Sequence, residues 1–213
     1  MGASPGVDLE LWGKSRGLPA RYPLVCHLLD AAAAVEALWD DYVSPGLRAV
    51  MAAELGVDEE WARSLLAYWA GMHDIGKCTA GFQAQDGAGF ARLNGYPSVE
   101  AEVVGHAFAA HVWLGQVLAG IGYRVGRKSA PAFRVAQLLG GHHGKFSSFH
   151  HREFLDPLGT VPALGGGRWE EQRQSIAAMV YELAGRPEPP QRISAVGGAL
   201  ACGLVILADW LVS

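Results

Sequence analysis

The residues best suited to chemistry lie in Gly71–Lys77, which reads Gly-Met-His-Asp-Ile-Gly-Lys and sets His73 beside Asp74 at the end of a helix-like run. A neutral imidazole and an adjacent carboxylate project differently from a helix end, so Asp74 can bridge two divalent ions while His73 holds one. Gly76 lets the chain leave the helix sharply, and Lys77 brings a cation to the same mouth. So short a motif needs company, and the chain offers His27, His106, the pair His142-His143, and Asp209. Taken singly, each histidine has an ordinary explanation as a core imidazole hydrogen-bonded to a carbonyl. Asp209 fits that kind of explanation less well, because it interrupts the apolar run Val205-Ile-Leu-Ala-Asp-Trp-Leu. Burying an unpaired carboxylate costs on the order of several kcal/mol, so Asp209 wants a metal, an arginine or several donors; a salt bridge or a cap at the terminus is the structural alternative. His111 competes with His106: they stand five residues apart, so they point to different sides of a helix and one of them faces the site.

These residues must be positioned by helices. Of the 213 residues, 50% are hydrophobic, and period-2 alternation is scarce. Residues 1–21, rich in Gly and Pro, read as an irregular lead-in with Leu11-Trp12 as its anchor. A helix is expected from Pro23 to about Trp39, with Leu24, Leu28, Ala31, Val35 and Leu38 on its core face. Ser44-Pro45 opens a second helix that Gly56 closes, and Asp58-Glu59-Glu60 opens a third that runs into His73-Asp74. Asp86–Pro97 reads as a Gly-rich loop, and Ser98 as the cap of a helix that carries both His106 and His111. Pro131 starts a helix ending at Gly140-Gly141-His142-His143-Gly144, whose glycines suggest a backbone that turns tightly to aim both rings. Residues 144–167 read as a long surface loop, Trp169–Leu183 as an amphipathic helix, and Ile193–Val212 as a buried helix that holds Asp209. Trp12, Trp39, Trp61 and Trp69 sit at spacings that favour core packing over base stacking.

Composition narrows the function. Seventeen basic and 21 acidic residues give a formal net charge of −4 without a Lys/Arg block, so the footprint of an autonomous nucleic-acid binder is lacking. A nucleic-acid substrate would need bound metal or a partner to hold it. Arg124, Arg127 and Lys128 are the one compact basic cluster, and the nearby Gly122–Ser129 run lacks the Gly-Lys adjacency of a phosphate loop. The pair His150-His151 reads as a solvated loop rather than a third metal site. Three cysteines, Cys26, Cys78 and Cys202, form no C-x-x-C pair and suit a reducing compartment. No signal peptide or membrane span is evident.

Five stretches then combine: Tyr22-Pro-Leu-Val-Cys-His27-Leu-Leu-Asp, Gly71–Lys77 with Phe82-Gln83 behind it, a mid-chain His, Gly140-Gly-His142-His143-Gly-Lys-Phe, and Ala208-Asp209-Trp210. Together they resemble the HD superfamily of metal-dependent phosphohydrolases, and within it the HD nuclease domain of the type I CRISPR helicase-nuclease, over most of the chain. The resemblance implies an all-α HD-domain helical bundle with a metal site in a central cleft, formed as a single domain over residues 1–213. It implies one ion on His27, His73, Asp74 and Asp209, and a second that shares Asp74 and takes His106, His142 and His143. Such His-rich sets suit Mn, Fe, Co, Ni or Zn better than Mg. Two ions at this spacing would activate a water, polarise the scissile phosphate and neutralise the leaving oxygen. His73, Asp74 and Lys77 are then the expected catalytic residues, with Lys77 and Lys145 on the substrate phosphates.

The implied activity is hydrolysis of single-stranded DNA during CRISPR interference in the cytoplasm. The implied partners are a helicase, as the remainder of a longer chain or a separate subunit, and a guide-RNA surveillance complex. The sequence departs from the family at His106, which follows Gly105 and precedes Ala110 where an Arg and a small polar residue are usual, so the groups orienting that ring differ. Two other readings stay open: an HD phosphohydrolase acting on small nucleotides, and an inactive module that docks a partner.

Overall fold

The computed structural model describes residues 6–15, 18–126, 130–147 and 156–213. His150-His151, Arg127 and Lys128 lie outside the described residues. Helices dominate, as the composition predicts, and the sheet among the described residues is a pair of short antiparallel strands, β1 (Trp12–Lys14) and β2 (Tyr22–Pro23).

The helix α1 (Leu24–Ala37) follows β2 directly, with Pro23 as its cap, and buries Leu24, Val25, His27, Leu28, Ala31 and Val35. A π-turn over Leu38–Tyr42 extends it and buries Trp39. The Ser44 hydroxyl accepts from Leu47 N–H to start α2 (Pro45–Leu55), and Gly56 ends it in the left-handed conformation at φ 70°. Asp58 caps α3 (Glu59–Ala70) through Trp61 N–H at 2.8 Å, and Glu59 and Glu60 lie at the positive helix end. After a 3₁₀ turn at Ile75–Lys77 come two short helices, α4 (Ala80–Gln83) and α5 (Gly87–Phe90). Then follow α6 (His106–Gly120), α7 (Pro131–Leu139), α8 (Pro157–Thr160), a 3₁₀ turn at Pro162–Leu164, α9 (Arg168–Leu183) and α10 (Ala195–Leu211). The Ser194 hydroxyl caps α10 through Gly197 N–H at 2.9 Å.

The core forms where α1 meets α3 and α10, and where α6 packs on α7 and on the Ile75–Lys77 turn. Leu24, Leu28, Leu65, Trp69, Trp113, Val135 and Val205 all lie in it. Of the four tryptophans expected there, Trp12, Trp39 and Trp69 are buried, whereas Trp61 is exposed on the first turn of α3. No helix among the described residues is long and apolar enough to cross a membrane.

Four expectations are corrected. The lead-in is not wholly irregular: Leu11 is fully buried and β1 pairs with β2. The Asp86–Pro97 stretch contains α5, whose first turn Asp86 caps through Gly89 N–H at 3.2 Å. No helix starts at Ser98; residues 98–105 are irregular and α6 begins at His106. Val99, Val103 and Val104 are β-branched and stiff in a helix, and Val99, Ala101 and Val104 instead pack on the core from non-helical backbone. Within the 144–167 segment, residues 144–146 are exposed as expected, but 156–167 is not a surface loop, since Val161, Ala163 and Leu164 are buried. It is held by Arg173, fully buried on α9, which donates to the carbonyls of Leu164, Gly165 and Cys78.

Candidate metal centre

His73 and Asp74 stand just past α3, where Gly71, His73 and Ile75 N–H groups close successive turns on Ala67, Ala70 and Met72 carbonyls. His73 donates from Nδ1 to Ala70 O at 2.6 Å, and His142 does the same to Leu139 O at 2.5 Å after α7. Both contacts span three residues, a consequence of placing a histidine just beyond a helix whose last carbonyls lack partners. A proton fixed on Nδ1 leaves the Nε2 lone pair for the cleft.

Asp74 lies at the centre and is 2% exposed. Its Oδ2 is 2.9 Å from His27 Nε2, 2.6 Å from Lys77 Nζ and 3.3 Å from His73 Nε2. Its Oδ1 faces the other way, 3.3 Å from both His106 Nε2 and His142 Nε2. Asp209, from α10, brings Oδ1 to 3.3 Å from His73 Nε2 and 3.7 Å from His27 Nε2. His106 and His143 approach each other at 2.9 Å through their Nε2 atoms. Two donor groups result, each with its atoms within 4.8 Å of one another: His27, His73, Asp74 and Asp209, all buried, and Asp74, His106, His142 and His143, of which His143 is exposed.

The donor set fits divalent metal. His73 Nε2, His142 Nε2 and Asp74 Oδ1 are buried and make no hydrogen bond, although they converge on the same cleft. Buried polar atoms without partners are costly in a protein interior, and a cation in each donor group would remove that cost. Nitrogen donors outnumber oxygen in the combined set, which suits transition metals better than magnesium. Burial opposes charge on His73, but the Asp74 carboxylate and then Asp209 overcome it and raise its pKa in the metal-free chain to about 9, so a metal ion at Nε2 would take the place of a proton that these carboxylates otherwise hold there. Burial likewise opposes charge on Asp74, and the His73 charge together with the nearby His142 and His27 rings holds its pKa well below the usual carboxylate range. Burial pushes His106 down to about 4 and lowers His27 and His143, which keeps these rings neutral and able to ligate at neutral pH.

Every expected metal-ligand residue is therefore brought to one cleft, from α1, the turn after α3, the start of α6, the turn after α7, and α10. The geometry separates the two mid-chain histidines. His106 faces Asp74, while His111 is buried on another side of α6 with its ring 6.2 Å from that of Phe133 on α7. Lys77 lies in the cleft on Asp74 and also donates to Gly13 O at 3.0 Å. Lys145 is exposed beyond His143 and is not among the residues that line the cleft mouth.

The glycines of the two motifs act mainly by letting backbones approach. A Cβ on Gly76 would come within 1.9 Å of His106 O and 2.5 Å of Ala110 N, so any side chain there pushes α6 and His106 away from Asp74. A Cβ on Gly140 would meet His111 Cβ at 2.3 Å. Gly144, at φ 79°, is the one glycine of its run in the left-handed region.

Three further groups surround the site, of which the sequence motifs include Gln83 alone. Gln83, buried on α4, accepts from Trp12 N–H and donates to Trp12 O and Lys77 O at 2.9 Å each, so it ties β1 to the metal-binding turn. Arg173 holds Cys78 O just after that turn at 2.8 Å and pairs with Glu170. Lys14 lines the cleft mouth, a space of about 330 Å³, with Trp12, Ser15, Lys77, Gln85, His106, His143 and Asp209. A Gln following the HD run was visible beforehand; nothing in the sequence marks Arg173, and Lys14 lay in a stretch read as irregular.

A family model for the Cas3 HD domain matches residues 12–213. The chain is 32% identical over 221 residues to the CRISPR-associated endonuclease/helicase Cas3 of Thermus thermophilus, covering 96% of this chain and 22% of that protein. Among solved structures it is similar to a chain of a CRISPR RNA-guided surveillance complex in a pre-nicking state, at 45% identity and a TM-score of 0.87, covering 98% of this chain and 25% of the other. It is also similar to the Thermus thermophilus Cas3 HD domain crystallised in the presence of Ni²⁺, at 28% identity and a TM-score of 0.69, covering 96% and 76% respectively. This chain spans only 22% and 23% of the length of the curated relatives it matches.

Proposed function

The chain belongs to the Cas3 HD domain family, and from that premise we propose that it is a metal-dependent nuclease domain that hydrolyses phosphodiester bonds of single-stranded DNA in type I CRISPR interference. The observation that carries the reading is the division of labour at Asp74, whose two oxygens face two separate donor groups, one closed and one open to solvent. His27, His73, Asp74 and Asp209 would hold one divalent ion, and Asp74, His106, His142 and His143 a second. Bound there, divalent ions supply Lewis acidity toward a phosphoryl oxygen and a water acidic enough to attack phosphorus near neutral pH. The closed group suits an ion that organises the site, and the group containing exposed His143 suits one that meets substrate.

The chain's own residues do the rest. The Ala70 and Leu139 carbonyls keep His73 and His142 in the tautomer that presents Nε2 to the cleft. Lys77, held between Asp74 and Gly13 O, is placed to donate to a non-bridging phosphate oxygen and stabilise charge as it develops. Lys145, outside the cleft mouth, would contact a phosphate farther along the strand. The formal charge of −4 gives the domain little grip of its own, in line with delivery of substrate by a helicase and a guide-RNA surveillance complex. Three free thiols, two of them buried, suit a reducing cytoplasm.

The test is cleavage of a single-stranded circle with added Mn, Co or Ni, run beside free nucleotides. The wild type is expected to cut the circle and leave nucleotides intact, and Asp74→Ala and His73→Ala to lose cleavage by several orders of magnitude. Circle cleavage unchanged in both variants sinks the assignment; nucleotide hydrolysis with an intact circle replaces it by a small-nucleotide phosphohydrolase.

A further inference from the structure

Lys14 lies outside the five stretches that carry the resemblance and outside the expected ligand set. It ends β1 and lines the cleft mouth together with half-buried His106 and exposed His143 of the second donor group. Its backbone is fixed from several directions. Leu24 N–H donates to Leu11 O at 2.7 Å, Gln83 bonds both the N–H and the carbonyl of Trp12, and Lys77 holds Gly13 O. A Cβ on Gly13 would lie 3.1 Å from His27 Cβ, so this strand runs directly against a metal-binding histidine. The Lys14 ammonium rests on the main-chain carbonyl of Val212, just past α10, and feels the charges of Asp209, Lys77 and Asp74.

We propose that Lys14 is a substrate-binding residue, whose ammonium leaves the Val212 carbonyl to grip a non-bridging oxygen of the DNA phosphate next to the one being cut. The exchange is favourable because a phosphate oxygen carries net negative charge whereas the Val212 carbonyl offers only a dipole, so the ammonium gains an ion–ion attraction. The strand is immobilised, so the cation is presented at little cost in ordering. Lys77 is held by Asp74, and Lys14 is the other lysine that lines the cleft mouth among the described residues. No covalent step is added; the role is grip and register. The competing explanation is that Lys14 merely complements the carbonyls at the end of α10.

The inference rests on the nuclease reading, and its test separates the two. Binding of a fluorescein-labelled single-stranded oligonucleotide to the Mn-loaded chain is measured by anisotropy over a range of NaCl, with cleavage kinetics in parallel. Lys14→Gln keeps a neutral donor for Val212 O and removes the charge. It is expected to raise KM roughly tenfold with little change in kcat, to lower the slope of log affinity against log salt by about 0.7, and to leave metal content intact. Lys14→Arg is expected to restore both KM and slope. A capping role alone predicts a lower Tm with an unchanged slope, and that result overturns the inference, as does loss of metal together with DNA. A wild type that binds but does not cut overturns the nuclease reading while the slope still decides Lys14; a wild type that neither binds nor cuts overturns both.

Discussion

Asp74 presents its two oxygens to different partners, Oδ2 to His27, His73 and Lys77 and Oδ1 to His106 and His142. A carboxylate so placed belongs to both donor groups, whereas His142 belongs to one. Elemental analysis of the purified chain should therefore give about two metal equivalents for wild type, near none for Asp74→Ala and about one for His142→Ala. Equal losses in the two variants would contradict a shared carboxylate. At this scale the sequence was highly legible. An aspartate inside an apolar helix and histidines beside helix ends carry a cost that only a partner removes, and that cost is visible from residue type and neighbours. Arg173 is equally buried and equally in need of partners, yet apart from Glu170 they are main-chain carbonyls, which every residue has and no motif reveals.

The elements place these side chains through close backbone packing. Helix α6 starts at His106 because Gly105 and three stiff valines precede it, and its first turn lies on Gly76. On another side of α6, His111 fills the contact with α7, and burial pushes its pKa down to about 3 from the ordinary 6.5. In the unfolded chain His111 takes up a proton near pH 6.5, whereas the folded chain resists until about pH 3. Its contribution is therefore fully present above pH 6.5 and is lost as pH falls below it. For the metal-free chain, His111→Leu should flatten the fall in unfolding free energy between about pH 6 and pH 4 by roughly one proton, or about 1.4 kcal/mol per pH unit. Urea midpoints at several pH values check this; an unchanged slope would show that His111 is not the group responsible.

Across the whole molecule, the donors arrive from α1 near the start, the turn after α3, α6, the turn after α7, and α10 near the end. Ions held there would cross-link the bundle, and anything that binds only the folded state raises its stability. One site at a hundredfold excess over Kd adds about 2.7 kcal/mol. A thermal melt should rise by several degrees with saturating Mn and fall on chelation, and Asp74→Ala should remove the difference. A chelator-insensitive melt of the metal-loaded wild type would mean that the donors do not tie the helices together.

Local chemistry determined, from the sequence alone, that the chain is helical, where α1, α2, α3 and α7 begin, and which histidines and aspartates are candidates to bind metal. Caps, apolar periodicity and the cost of a buried charge act over a few residues and can be read in order. Tertiary structure alone decided that His106 rather than His111 faces Asp74, that Val99–Val104 pack without forming a helix, and that Val161, Ala163 and Leu164 join the core. It also brought Lys14 from the lead-in to the cleft beside Asp209. Each of these outcomes depends on which surfaces meet between segments far apart in the chain, and packing across such distances leaves no local period to read.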